Sequence, residues 1–187
     1  MFFTKHFTLY SNNLVNFLSL LAIIKLLSKG VDFMFREMRR KDREIDSIKA
    51  AAILEAGEYG VLSTVGGNGY AYGIPLSYAY SNGSIYFHSA TVGHKLDNIS
   101  YNDKVSFCVV GATEVIPEDF GTKYESVIVF GKASEVYDEE KQEALMAIIE
   151  KYSSDFIENG KKYVAGSADK TKVIKIEIEH MTGKAKP

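Results

Sequence analysis

Residues 59–89 read Tyr-Gly-Val-Leu-Ser-Thr-Val-Gly-Gly-Asn-Gly-Tyr-Ala-Tyr-Gly-Ile-Pro-Leu-Ser-Tyr-Ala-Tyr-Ser-Asn-Gly-Ser-Ile-Tyr-Phe-His-Ser. Three runs rich in β-branched and aromatic residues, 59–65, 70–80 and 84–89, predict strands. Between them, Gly66-Gly67-Asn68-Gly69 and Ser81-Asn82-Gly83 are turn sequences, because Gly and Asn tolerate positive φ. Strands joined by tight turns make an antiparallel meander.

The flanks extend the pattern. A helix is expected over 42–56, with Ile45, Ile48, Ala52 and Ala56 near one face and Gly57 as its C-terminal cap. On the other side a helix runs from Gly93 to about Tyr101, followed by a strand over 104–110. Residues 111–124 have no clear period and carry Glu114, Glu118 and Asp119, so an irregular loop and candidate lid is expected there. A strand over 126–136 follows. Then comes a helix capped by Asp138, with Leu145, Ile148, Ile149 and Tyr152 buried. The last strand, 171–180, alternates Ile174, Ile176 and Ile178 against Lys175, Glu177 and Glu179, and His180 continues the apolar face as a structural group. Six strands and few helices predict a mainly β (α+β) fold, one closed or nearly closed antiparallel barrel with flanking helices.

A chain of 187 residues supports one good core and not two large domains. A net charge of −2 gives no general attraction for nucleic acid. The single cysteine, Cys108, excludes an internal disulfide and a multi-cysteine metal site; it reads as a core thiol in a reducing, cytoplasmic setting. Residues 14–27 are mostly apolar, but Asn16, Ser19 and Lys25 interrupt them, and the run is short for a membrane span. A weak signal or anchor, an amphipathic docking helix and an upstream extension all fit. The reading adopted is an extension over 1–33 outside a domain of 34–187, since the globular pattern begins at Met34.

Two features carry candidate chemistry. Phe87-His-Ser-Ala-Thr-Val-Gly-His-Lys-Leu96 joins a strand to a helix start and places Ser89, His94 and Lys95 there. A helix N-terminus with a hydroxyl and an ammonium can seat a phosphate; an ordinary turn with a solvated lysine is the plain alternative. Strand 70–80 is large at even positions and small at Ala71, Gly73, Pro75, Ser77 and Ala79, and Pro75 confines it to an edge or a bulge. Such a flat face suits a planar ligand, a second subunit or a packed helix. A flat face and a phosphate seat together match the two parts of flavin mononucleotide (FMN).

With 59–64, 74–78, 86–90, Gly93-His94-Lys95-Leu96 and 126–133 in this order, the chain resembles the pyridoxamine 5′-phosphate oxidase-like flavoproteins. Within them it is most similar to the nitroimidazole-resistance (Nim) branch. The resemblance covers about 34–152. It implies a split β-barrel that binds FMN at a homodimer interface. It implies that Gly93, Ser89 and Lys95 hold the phosphate, with His94 where the oxidases usually carry Arg. Pro75, Leu76, Ser77 and Tyr78 would contact the ring, and Ser126 and Val127 would reach it from the partner subunit. His88 would lie near the ring as candidate proton donor. Arg is the better bidentate phosphate partner, so His94 is a departure. The C-terminal Arg/His pattern of the oxidases is missing, which argues against pyridoxamine phosphate as substrate. The expectation is an FMN-dependent oxidoreductase that passes electrons from reduced nicotinamide or another donor to a small acceptor, a nitro-aromatic compound among the candidates. The alternatives are a haem- or flavin-binding protein without turnover, with His88 or His94 as iron ligand, and a dimeric scaffold with an empty site. No other metal ligands, nucleic-acid contacts or membrane attachment are expected.

Overall fold

The 59–89 stretch forms strands, but not the meander that its turns predict. The structure, a computed structural model, describes residues 35–167 and 170–187; the expected extension over 1–33 lies outside the described residues. The strands are β1 (Glu44–Ile45), β2 (Gly60–Val65), β3 (Ala71–Leu76), β4 (Ala79–Ser81), β5 (Ser84–Ser89), β6 (Lys104–Ile116), β7 (Gly121–Val136) and β8 (Lys172–Lys186). The helices are α1 (Ser47–Ala56), α2 (His94–Tyr101), α3 (Asp138–Tyr152) and α4 (Ile157–Ser167). The architecture is thus α+β, with one antiparallel sheet.

The expected strand 70–80 breaks at Ser77-Tyr78. β3 pairs with β2, from Gly60↔Leu76 to Val65↔Ala71, and β4 turns through Asn82-Gly83 to pair with β5. The strand order is β3-β2-β6-β7-β8-β5-β4, with β1 added on β8. β3 and β4 therefore stand at opposite ends of the sheet, yet only two residues join them. Three Cα steps of 3.8 Å reach about 11 Å. The sheet must curl until its ends meet, which gives a barrel split between β3 and β4. Pro75 sits on edge strand β3, where its missing N–H breaks no outer ladder.

The barrel interior holds Leu62, Ile85, Phe87, Phe107, Val109, Val127, Val129, Ile174 and Ile176, all fully or nearly fully buried. Fully burying such a side chain stabilises by about 1.5–3 kcal/mol. α1 inserts Ala50 and Leu54 into the same core.

Four local expectations change. α1 starts at Ser47, capped by the Asp46 carboxylate, which accepts from Lys49 N–H at 2.9 Å. Ile45 belongs to β1, so the helical face shifts to Ala50 and Leu54 and leaves Ile48 81% exposed. Residues 111–124 are no irregular lid. They form a ribbon, paired from Thr113↔Tyr124 to Ile116↔Gly121, around a turn at Pro117–Asp119. The alternation that would reveal it is absent because Thr113, Glu114 and Val115 are all exposed. Asp138 is the first residue of α3 rather than its cap.

Finally, His180 leaves the buried face. Phe130 pairs with His180 but Gly131 pairs with Ile178, so Glu179 is an extra residue in β8. That bulge reverses the alternation. Ile178 and Met181 pack on the core, while His180 lies beside Phe130 with ring centroids 6.4 Å apart.

Candidate functional site

β5 ends at Ser89 and α2 begins at His94, so Ser89, Gly93, His94 and Lys95 all lie at or beside one four-residue loop. Gly93 has φ 148°, a conformation that side chains disfavour although a Cβ there would meet nothing within 4 Å. The backbone turn, not crowding, requires glycine. The first helical bonds run from Leu96 and Asp97 N–H to Gly93 O, at 2.8 and 3.1 Å. The N–H groups of His94 and Lys95 come before them, at the positive end of the helix dipole. α2 is fixed by Asn98, 4% exposed, whose amide donates to Thr64 Oγ1 at 3.0 Å. The His94 ring lies over Tyr72 of β3, centroids 4.3 Å apart.

Ser89 is only 5% exposed, and its Oγ has no hydrogen-bond partner among the described residues. A buried hydroxyl left unpaired costs about 1–3 kcal/mol. Phe87 enters the core from β5, and Ser89, two residues on, takes the same face at the strand end.

The sheet register sorts the other expected residues. Pro75, Val61, Cys108, Ile128 and Thr182 lie opposite one another across β3, β2, β6, β7 and β8. They therefore share the outer face of this part of the barrel. Ser126 is on that face too, paired with Val110 and Lys184, and Ser77 is exposed in the β3–β4 link. Exposed Val110 and Phe130 make the face apolar. Leu76 and Val127 turn inward, and Val127 is fully buried, so its side chain belongs to its own core.

Tyr78, expected against the ring, is also a core residue at 0% exposure. Its phenol donates to Leu54 O at 2.5 Å, satisfying a carbonyl in the last turn of α1. Its N–H donates to the Tyr152 hydroxyl at 3.0 Å, and that hydroxyl lies 2.6 Å from Glu58 O. Burial pushes the Tyr78 phenol well above its ordinary value. The Lys151 ammonium lies over its ring, 3.8 Å from the centroid.

His88 points away from Ser89. Successive strand residues point to opposite faces, so His88 faces away from the interior that Ser89 faces. It lines a cavity of about 80 Å³ with Leu145, Ile148, Ile149, Tyr163, Val164 and Thr171. Cavities for drug-sized ligands measure about 300–1,000 Å³, so this one is far too small for a porphyrin. The same flank carries a polar cluster in which Glu140 accepts from Lys175 and Tyr86 at 2.8 and 2.9 Å. The hydrogen bond from Lys175 holds the Glu140 carboxyl below its ordinary value. A wider cleft of about 840 Å³, lined by Arg43, Ile53, Glu58, Val110, Glu125 and Ala185 among others, contains none of the expected site residues. No group of three or more metal-ligating side chains occurs among the described residues, and no described helix is long and apolar enough to cross a membrane.

The register adds two residues that the sequence pattern misses. Lys172 at the start of β8 lies opposite Ser89, and its ammonium meets Glu135 of β7 at 2.6 Å. That hydrogen bond pushes Lys172 above its ordinary value. Nothing local in the sequence signals this pair, because it depends on strand register.

The family model described as pyridoxamine 5′-phosphate oxidase matches residues 46–185, well over half of the chain. No curated protein matches by sequence. Among solved structures, a candidate 5-nitroimidazole antibiotic resistance protein from Bacteroides thetaiotaomicron is 23% identical with TM-score 0.63, covering 76% of this chain and 86% of that one. A FAD-binding protein from Mesorhizobium loti is 24% identical with TM-score 0.55, covering 78% and 98%. A flavocytochrome from Azotobacter vinelandii is 18% identical with TM-score 0.70, covering 84% and 75%. At these identities the likeness is one of fold.

Proposed function

The chain belongs to the pyridoxamine 5′-phosphate oxidase family, and on that premise we propose that it is an FMN-binding flavoprotein, a homodimeric reductase of small molecules. The observation that carries the proposal is the Ser89 hydroxyl, buried and without a hydrogen-bond partner among the described residues, at the end of β5 and one four-residue loop before α2. A phosphate oxygen satisfies such a donor, and the first-turn N–H groups and Lys95 supply the positive charge that a phosphate needs. Gly93 lets the backbone make that turn. Pro75 and Ser77 offer small side chains to a planar ring. When bound, the flavin would supply two-electron transfer between a reduced nicotinamide or other donor and a small acceptor, with nitro-aromatic compounds as one class to test. His88 is not assigned the proton donor's role, since its side chain lines the small cavity under α3 and α4 with Ile148 and Tyr163, apart from Pro75 and Ser77. The half-buried lone thiol Cys108 suits a reducing, cytoplasmic setting.

Apo-protein titrated with FMN tests the seat. Lys95→Ala should weaken binding by about 1.5–3 kcal/mol, the scale of a charged hydrogen bond. Ser89→Ala should also weaken it, while leaving the melting temperature of the apo-protein unchanged or higher, because the unpaired hydroxyl is gone. Wild-type affinity in both variants would remove the phosphate from this junction.

The outer face of Pro75, Ile128 and Ser126 is proposed to meet a second copy, so that Ser126 completes the partner's flavin site. Light scattering should give twice the chain mass. A strict monomer that retains FMN through gel filtration would take Ser126 out of the site.

A further inference from the structure

We propose that Lys172 is a second phosphate-binding cation of the flavin site, an inference that rests on the FMN reading above. Lys172 lies directly opposite Ser89 in the β5–β8 register. Residues opposed in this way share a face, with Cβ atoms about 4.5–5.5 Å apart. The stem of the lysine therefore starts beside Ser89, whose hydroxyl has no partner among the described residues, while its ammonium leans to the other side of β8, onto Glu135 of β7, and would have to swing back to share a phosphate with Ser89. An ammonium carries three N–H donors. One of them goes to Glu135 at 2.6 Å, the one side-chain hydrogen bond of Lys172 among the described residues, and the Tyr137 side chain lies within electrostatic range.

Glu135 accounts for the readiness of this lysine. The side chains of Lys172 and Glu135 are 34% and 21% exposed, so the pair is partly withdrawn from water. The carboxylate keeps the ammonium charged and restrains its flexible stem. Less side-chain freedom is then lost when a further oxygen is bound. Lys95 arrives from α2 and Lys172 from β8, so the two cations come from separate elements. Together they outweigh the single negative charge of Glu135. The ligand chemistry that this recognises is a terminal phosphate monoester: FMN rather than riboflavin.

The test is the ratio of FMN to riboflavin affinity, measured by flavin fluorescence quenching on apo-protein. Lys172→Met keeps the aliphatic stem but leaves Glu135 without its partner. The double variant Lys172→Met/Glu135→Gln removes both charges and guards against misfolding, with thermal melting as the check. In both variants the preference for FMN should fall about tenfold or more, the low end for a charged hydrogen bond, with riboflavin affinity unchanged. A preference kept within twofold in the double variant, or an equal loss for both flavins, would make Lys172–Glu135 a structural pair and overturn this inference alone. A folded wild type that binds neither flavin would overturn the FMN reading and this inference with it.

Discussion

Phe107→Ala is expected to destabilise the protein by about 3–5 kcal/mol, the range for removing a fully buried aromatic ring. Phe107 has no exposed surface and meets the Tyr78 ring edge-on, centroids 4.9 Å apart. Its ring also fills the space in front of Gly60, where a Cβ would collide with it. The cavity cannot collapse easily, since the rigid strands β2 and β6 form its walls. Tyr78 would lose its main aromatic neighbour, and Tyr78 is the hub that ties α1, the β3–β4 link and α3 through Leu54 O and the Tyr152 hydroxyl. Flavin retention should therefore fall together with stability. Urea denaturation of wild type and variant gives the difference; a loss below about 1 kcal/mol would show that the barrel repacks around the gap.

Gly131→Ala is expected to cost about 3 kcal/mol or more, at the upper end for overpacking. The added Cβ would fall inside van der Waals contact with the Glu177 carbonyl oxygen and press on Ile176. Backbone cannot swing aside as a flexible side chain can, and β7 is held between β6 and β8. Gly131 also sits where the bulge at Glu179 reverses the alternation of β8. The substitution should depress the melting temperature by more than a surface change would, and speed hydrogen exchange in β7 and β8 first. Wild-type melting would mean that the bulge yields and that close approach of the two strands is not what demands glycine.

The strand-to-helix junction of the proposed site was legible because its signals are local. Ser89, Gly93, His94 and Lys95 lie within seven residues, and a strand end, a glycine and a helix start set their order along one loop. The turn at Asn82-Gly83 is equally local, with φ values of 50° and 74°. Misreadings arose where a residue's partner is distant in sequence. His88 was placed near the ring by resemblance, yet its side chain lines a small cavity against Leu145, Ile148 and Tyr163, residues distant in sequence. Tyr78 looked like part of a flat strand, yet its partners are Leu54 and Tyr152. His180 followed the isoleucine alternation until one extra residue reversed it.

The sequence by itself determined the mainly β character, the hairpin turns, the strand-to-helix junction after Ser89 and the confinement of Pro75 to an edge. Each follows from backbone preference or from the period of a few adjacent residues. Only the tertiary structure decided that β3 and β4 stand at opposite ends of one curled sheet, that Ser77-Tyr78 bridges the split, that 111–124 is a paired ribbon, and that Lys172 faces Ser89. Pairing and register depend on which distant strands bury their apolar faces together, a free energy that no short stretch of the chain carries alone.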